Sequence, residues 1–168
     1  MSSSAGLPDG GAFIIKMDPD AAPDTVEQIS TLVGAGFYNG LTFHRVVHDF
    51  VIQAGCPVGD GSGGSGKTIK GEFSDNGVKN PLSHKKYVVS MGRLTGSDKT
   101  AYNSADSQFF VCLVDSTSLD GSYAAFGKVI EGTDVVDRLG QVETAGLNGQ
   151  PIEAQVIRAA FFVEKSGD

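Results

Sequence analysis

The sequence predicts one mostly-β or α+β domain, on three observations. Eight short apolar runs are separated by turn residues. Glycine is 23 of 168 residues, about twice the usual ~7%, which favours turns over long helices. Only two segments carry a helical apolar stripe, and they do not alternate with strands as a βαβ plan requires. The length of 168 residues suits a single core.

In chain order the strand candidates are Ala12–Lys16, Thr42–Val47, Phe50–Ala54, Thr68–Phe73, Tyr87–Met91, Gln108–Val114, Ala124–Ile130 and Ile152–Glu164. Each is short, rich in β-branched or aromatic residues, and bounded by glycine, proline or other turn formers. The first helix follows the first strand. Thr25 and Gln28 fit a capping box, and Val26, Ile29, Leu32 and Val33 share one face until Gly34 and Gly36 stop it. The second runs from Thr133 to Gly140, with Val135, Val136 and Leu139 on one side.

Thirteen basic against twenty acidic residues give a net charge of -7, which argues against a nucleic-acid binder. Lys67, Lys70, Lys79, Lys85, Lys86, Arg93 and Lys99 form a locally basic stretch, which reads as a solvated face. The longest apolar run is Phe109–Val114, far short of the ~20 residues of a membrane span. No secretory pattern opens the chain. Cys56 and Cys112 sit in no CxxC pattern, so two reduced thiols in a cytoplasmic, reducing compartment are expected.

Gly61-Ser-Gly-Gly-Ser-Gly-Lys67-Thr68 matches the phosphate-loop pattern GxxxxGK[ST]. That motif works only where a helix starts at the Lys-Thr pair and aims its N-terminus at the anion. Gly71, the Asn76-Gly77 turn and Pro81 follow instead, so a glycine-rich loop is expected. His44, His48 and His84 lack a Cys or acidic partner at ligand spacing, and no metal site is expected. A Ser-His-Asp arrangement stays open, without a GxSxG elbow to support it.

One block resists explanation as core alone: Phe43-His44-Arg45-Val46-Val47-His48-Asp49-Phe50-Val51-Ile52-Gln53-Ala54-Gly55. Its alternation puts Arg45, Val51 and Gln53 on one face of a strand pair, a cation beside an amide. Ser107-Gln108-Phe109-Phe110-Val111 offers a second amide and two aromatics.

Together these blocks resemble the cyclophilin family of peptidyl-prolyl isomerases, in its compact bacterial-type form. The likeness runs from about Gly11 to Glu164, with Gly36–Arg45 leading into the family's FHR and F.IQ.G signature. Ser107–Phe110, Leu119-Asp120-Gly121 and Phe126-Gly127-Lys128-Val129 match further motifs, and the Gly59–Gly66 run resembles the family's glycine-rich loop. The resemblance implies an eight-stranded antiparallel barrel capped by two short helices, in one domain over residues 11–168. The segment 1–10 fits poorly to the family's first strand.

By position, the resemblance implies that Arg45 is the catalytic arginine. Phe50, Val51, Phe110 and Leu119 fall on the proline pocket and Tyr123 on its edge. Gln53 falls on the substrate-bonding glutamine, Gly92 and Arg93 on the segment that pairs with substrate main chain, and Gln108 on the adjoining groove. Ser118 stands where many eukaryotic members carry a cyclosporin-binding Trp, so only weak cyclosporin binding is expected. Leu94–Ser104 is longer and more charged than usual. A monomer that acts on proline-containing peptides and flexible protein segments follows, with no cofactor, nucleic acid or membrane. The competing readings are a proline-binding module with little turnover and a nucleotide hydrolase built on Gly61–Thr68.

Overall fold

The structure is a computed structural model and describes residues 11–164. The segment 1–10, which fits the family's first strand poorly, lies outside them. Within them the elements are β1 (Ile14–Met17), α1 (Pro23–Gly34), β2 (Arg45–Val47), β3 (Val51–Ala54), β4 (Val88–Met91) and α2 (Lys99–Tyr102). There follow β5 (Phe109–Cys112), β6 (Ala125–Glu131), α3 (Thr133–Leu139), β7 (Thr144–Ala145) and β8 (Gln150–Pro151). Six strands form one antiparallel sheet in the order β1-β6-β4-β5-β3-β2, and β7 and β8 form a separate hairpin. No described helix is long and apolar enough to cross a membrane.

The chain is mostly β as expected, but the sheet does not close into a barrel among the described residues. Two expected strands do not form. Thr68–Phe73 makes a single bridge, Ile69 to Ala105, because Glu72 is drawn away to α1 and a Cβ at Gly71 would meet the Tyr102 carbonyl. Ile152–Glu164 makes one bridge, Thr42 to Val156, with Phe43, Gly40 and Ile157 exchanging main-chain bonds around it. Among the described residues the α-helices number three rather than two. The third, α2, lies inside the long Leu94–Ser104 segment and is capped by the Asp98 carboxylate, which accepts from Ala101 N at 2.8 Å.

Alternation along the strands separates two apolar faces. Val46, Ile52, Val111 and Val89 lie opposite one another across β2, β3, β5 and β4, and none is more than 1% exposed. That face carries the main core, which α1 and α3 cover through Ile29 and Val136. The other face is left for the site described below. Gly55, just after β3, passes so close to Ser107 that a Cβ would strike its carbonyl, and its φ of 97° suits glycine alone. Ser107 Oγ donates to the Gly55 carbonyl at 2.7 Å, tying the end of β3 to the approach to β5.

The capping box expected at Thr25 is not what starts α1. Pro23 occupies the first turn, where its missing N–H costs nothing. Thr25 N and Oγ1 each donate to Glu72 Oε1 at 2.7 Å, and Asp24 N donates to Oε2 at 3.3 Å. The cap therefore comes from 47 residues downstream, a partner that local spacing could not indicate. A buried carboxylate satisfying orphan donors at a helix N-terminus is favoured by both hydrogen bonding and the helix dipole. Glu72→Ala is expected to destabilise the fold by about 2–4 kcal/mol, as the cap is lost and a cavity opens. Glu72→Gln should cost less. Urea unfolding checks both, and a cost under about 0.5 kcal/mol for Glu72→Ala would refute the assignment.

Candidate active site

A three-residue turn, His48-Asp49-Phe50, joins β2 to β3. Phe50 N closes on the Val47 carbonyl at 3.0 Å and Asp49 takes the left-handed conformation, φ 57°. This sets the register that pairs Arg45 with Gln53 and Val47 with Val51. Continuing across the sheet, Gln53 lies opposite Phe110, and Phe110 opposite Ser90. Arg45, Gln53, Phe110 and Ser90 thus form one row over four strands, on the face away from the core. Val51 and Cys112 lie opposite each other in the adjoining row.

Val51, Phe110 and Cys112 nucleate a second apolar cluster, against which Phe50, Leu119 and Tyr123 pack. Every apolar position singled out by the resemblance is in this cluster. Tyr123 meets Phe110 edge-on, with ring centroids 5.7 Å apart and planes at 84°. Cys112 is the cluster's addition. Its thiol is pushed up to about 12, first by burial and then by the nearby Asp120 and Asp115 charges, so it serves as packing rather than nucleophile. Alternation along β5 would have placed it beside Phe110.

Polar groups line the adjacent edge in a chain. Arg45 Nη1 donates to Gln53 Oε1 at 3.3 Å, and Gln53 Nε2 donates to Gln108 Oε1 at 2.9 Å. Gln108 Nε2 in turn donates to the Gly61 and Gly63 carbonyls at 2.8 and 2.9 Å. Gly92 N donates to the Gln108 carbonyl at 2.9 Å, and a Cβ at Gly92 would crowd Gln53 Nε2 at 3.1 Å. Arg93 is half-buried, with its guanidinium turned towards Tyr123. The nine binding positions and Arg45 therefore gather on one side of the sheet.

The glycine-rich run is a loop, as expected, and no helix begins at Lys67-Thr68. Its donors are already used: Ser65 N and Gly66 N each donate to the Asp106 carboxylate at 2.9 Å. An internal carboxylate thus occupies the place an anion would need. The histidines are dispersed, and no group of three His, Cys, Asp or Glu side chains among the described residues could hold a metal.

A Ser-His-Asp line does exist. His84 Nδ1 lies 2.7 Å from Asp120 Oδ1, and His84 Nε2 lies 2.9 Å from Ser90 Oγ. An ionised carboxylate only accepts, so Nδ1–H donates and Nε2 accepts from the serine hydroxyl. Ser90 is 0% exposed and lies beneath the cluster, where no substrate reaches its hydroxyl. His84 stacks against Phe110 at 6.1 Å and 19°. The line is a support for the apolar cluster and not a nucleophile.

A profile of the family described as "Cyclophilin type peptidyl-prolyl cis-trans isomerase/CLD" matches residues 5–160. The chain is 46% identical over 125 residues to a peptidyl-prolyl cis-trans isomerase of Helicobacter pylori, covering 71% of this chain and 69% of that one. It is 41% identical over 128 residues to peptidyl-prolyl cis-trans isomerase B of Bacillus subtilis, covering 76% and 82%. Against peptidyl-prolyl cis-trans isomerase-like 1 of Aspergillus oryzae it is 36% identical over 154 residues, 92% and 91% of the two chains. A crystal structure of a Cryptosporidium parvum cyclophilin type peptidyl-prolyl cis-trans isomerase, in the presence of the dipeptide Ala-Pro, superposes with a TM-score of 0.80. It covers 93% of this chain and 96% of that one at 24% identity, a likeness of fold.

Burial lowers the His84 pKa from its ordinary value, and the Asp120 hydrogen bond and charge offset this only in part. Folded His84 therefore resists a proton that the unfolded chain accepts below about pH 6.5. Stability should fall as pH drops through that window, and His44, also lowered mainly by burial, adds in the same direction. His84→Gln should lose stability at pH 7.5 yet show a smaller decline between pH 7.5 and 5.5. Denaturant midpoints at both pH values check this; an unchanged decline in the variant refutes it.

Proposed function

The chain belongs to the cyclophilin-type peptidyl-prolyl cis-trans isomerase family, and we propose that it turns X–Pro bonds by stabilising the twisted amide with Arg45. Isomerisation of peptidyl-prolyl bonds is its activity. The observation that carries the mechanism is the row Arg45–Gln53–Phe110, which sets a guanidinium and an amide against an apolar cluster.

An X–Pro bond prefers trans by only about 0.5–1 kcal/mol, yet rotation must cross about 18–20 kcal/mol of lost amide resonance. In the twisted state the nitrogen regains its lone pair. A site that favours this state needs a grip on the proline ring and a donor aimed at that nitrogen. Phe50, Val51, Phe110, Leu119 and Tyr123 supply the grip. Arg45 supplies the donor, hydrogen-bonded to Gln53 Oε1, while Gln53 and Gln108 lie beside it to bond substrate main chain. Shortening a crossing from tens of seconds to milliseconds takes about four decades, or roughly 5–6 kcal/mol. One charge-assisted donor contributes about 1.5–3 kcal/mol, so the anchored ring must contribute the rest through orientation.

The substrates are proline-containing peptides and flexible segments of proteins during folding, with the monomer in a reducing, cytoplasmic setting. The free, buried thiols of Cys56 and Cys112 support that setting.

Arg45→Ala should lower turnover by roughly ten- to a thousandfold, about 1.4–4 kcal/mol, while peptide affinity changes less. Arg45→Lys should recover part of it, because the planar fork is lost while the charge stays. Exchange spectroscopy on a proline peptide measures both quantities, and full turnover in Arg45→Ala refutes the mechanism. The rate of the natural chain should stay nearly flat from pH 6.5 to 8, since the histidine under the pocket is held neutral there.

Cyclosporin should inhibit weakly. Ser118 is exposed beside Leu119 and offers little surface where a Trp would bury about 150–250 Å2. Ser118→Trp should tighten inhibition; tight inhibition of the natural chain, unaltered by that change, overturns the expectation.

A further inference from the structure

We propose that Arg93 is a positioning residue that holds Tyr123 as a fixed wall of the proline pocket, an inference that rests on the pocket assignment above. Tyr123 needs such a hold. It follows the turn at Gly121-Ser122 and precedes β6, outside the ladder that fixes Phe110 and Val51. Its ring nevertheless contributes to the cluster and meets Phe110 edge-on. A wall built on an irregular segment grips a ring only if something behind it is rigid.

The Arg93 guanidinium is that support. Its central carbon lies 4.6 Å from the Tyr123 ring centroid, 5.1 Å from Tyr102 and 5.3 Å from Phe73. A planar cation faces the negative faces of all three rings. The far side of the cage is itself fixed. Phe73 is 2% exposed in the core, and Tyr102 of α2 meets it edge-on at 5.2 Å and 87°. The guanidinium plane is also pinned in three places. Nε donates to the Ser122 carbonyl at 2.9 Å, and Nη1 donates to the Leu94 and Gly96 carbonyls at 2.7 and 3.1 Å. The Ser122 bond grips the residue adjoining Tyr123. A continuous path thus runs from the core through Phe73 and Arg93 to Tyr123 and Phe110. It gives the long Leu94–Ser104 segment a role, since that segment supplies Tyr102 and two of the carbonyls.

Three alternatives predict different data. A purely structural Arg93 would change stability and leave the pocket alone. A direct contact would cost affinity whether or not Tyr123 is present, for all peptides if it is to substrate main chain and for acidic peptides if it is to side-chain charge. Positioning through Tyr123 predicts weaker binding of any proline peptide, most of it in affinity and less in turnover, and only while Tyr123 is present.

The experiment is a double-substitution cycle on the full chain with Arg93→Met, Tyr123→Leu and both together. Its readouts are affinity and saturated exchange rate for a neutral and an acidic Ala-Pro peptide. Arg93→Met should weaken both peptides alike, by roughly two- to thirtyfold, the range of a partly desolvated cation–aromatic contact. In the Tyr123→Leu background the same change should have little further effect. Additive losses, a loss confined to the acidic peptide, or unaltered affinity overturn the proposal. Phe110→Ala run alongside separates the two levels. If it abolishes peptide binding while Arg93→Met does nothing, only the role of Arg93 fails; if it binds normally, the pocket assignment itself fails. Should Arg93→Met not fold, Arg93→Lys takes its place in the same cycle. It keeps a cation over Tyr123 but loses the fork, and is expected to bind with intermediate affinity and the same non-additivity.

Discussion

Cross-strand register is the constraint on which the site depends. Slipping β2 by one residue against β3 would exchange Arg45 for Val46, turning a guanidinium into the core and a core valine into the groove. The Asp49 turn and the Gly55–Ser107 contact hold the two ends of β3 against this slip. The core row of Val46, Ile52, Val111 and Val89 holds its middle, because a one-residue slip of any of these strands would turn its fully buried core residue to the other face. Packing on one face therefore determines the chemistry on the other.

Two carboxylates from distant parts of the sequence do similar work at the periphery. Glu72 takes the free N–H groups of α1, and Asp106 takes those of the glycine-rich loop. Each satisfies donors that would otherwise attract an anion from solvent, and each ties one segment to another. The loop held by Asp106 then presents carbonyls to Gln108, which extends the polar chain to Arg45.

Much of this was legible in the sequence. Period-two alternation around Arg45 and Gln53 identified the two-faced hairpin before any fold was known, and turn residues located most of the strands. What escaped had a long-range cause. Glu72 replaced the local cap because its partner is distant in the chain. Thr68–Phe73 and Ile152–Glu164 have strand-like composition, but composition does not say whether a neighbour with a matching row of donors is present. The Ser90–His84–Asp120 line was unreadable for the same reason, since its members meet only when β4 and the turn after β5 are folded together. The aromatic cage around Arg93 joins residues from three separate segments, and spacing carries no trace of it.

Arg45 stands on the outermost strand of the sheet, the border at which an extended segment adds itself. The outward N–H of Val46 is taken by the Gly149 carbonyl at the β7–β8 hairpin, and Gly40 and Phe43 donate to Ile157 and Gln155. Β2 is only three residues long. That border consequently offers an incoming segment few unsatisfied main-chain groups on which to add itself as another strand. On the mechanism proposed above, a segment held by its proline is not drawn into a growing sheet.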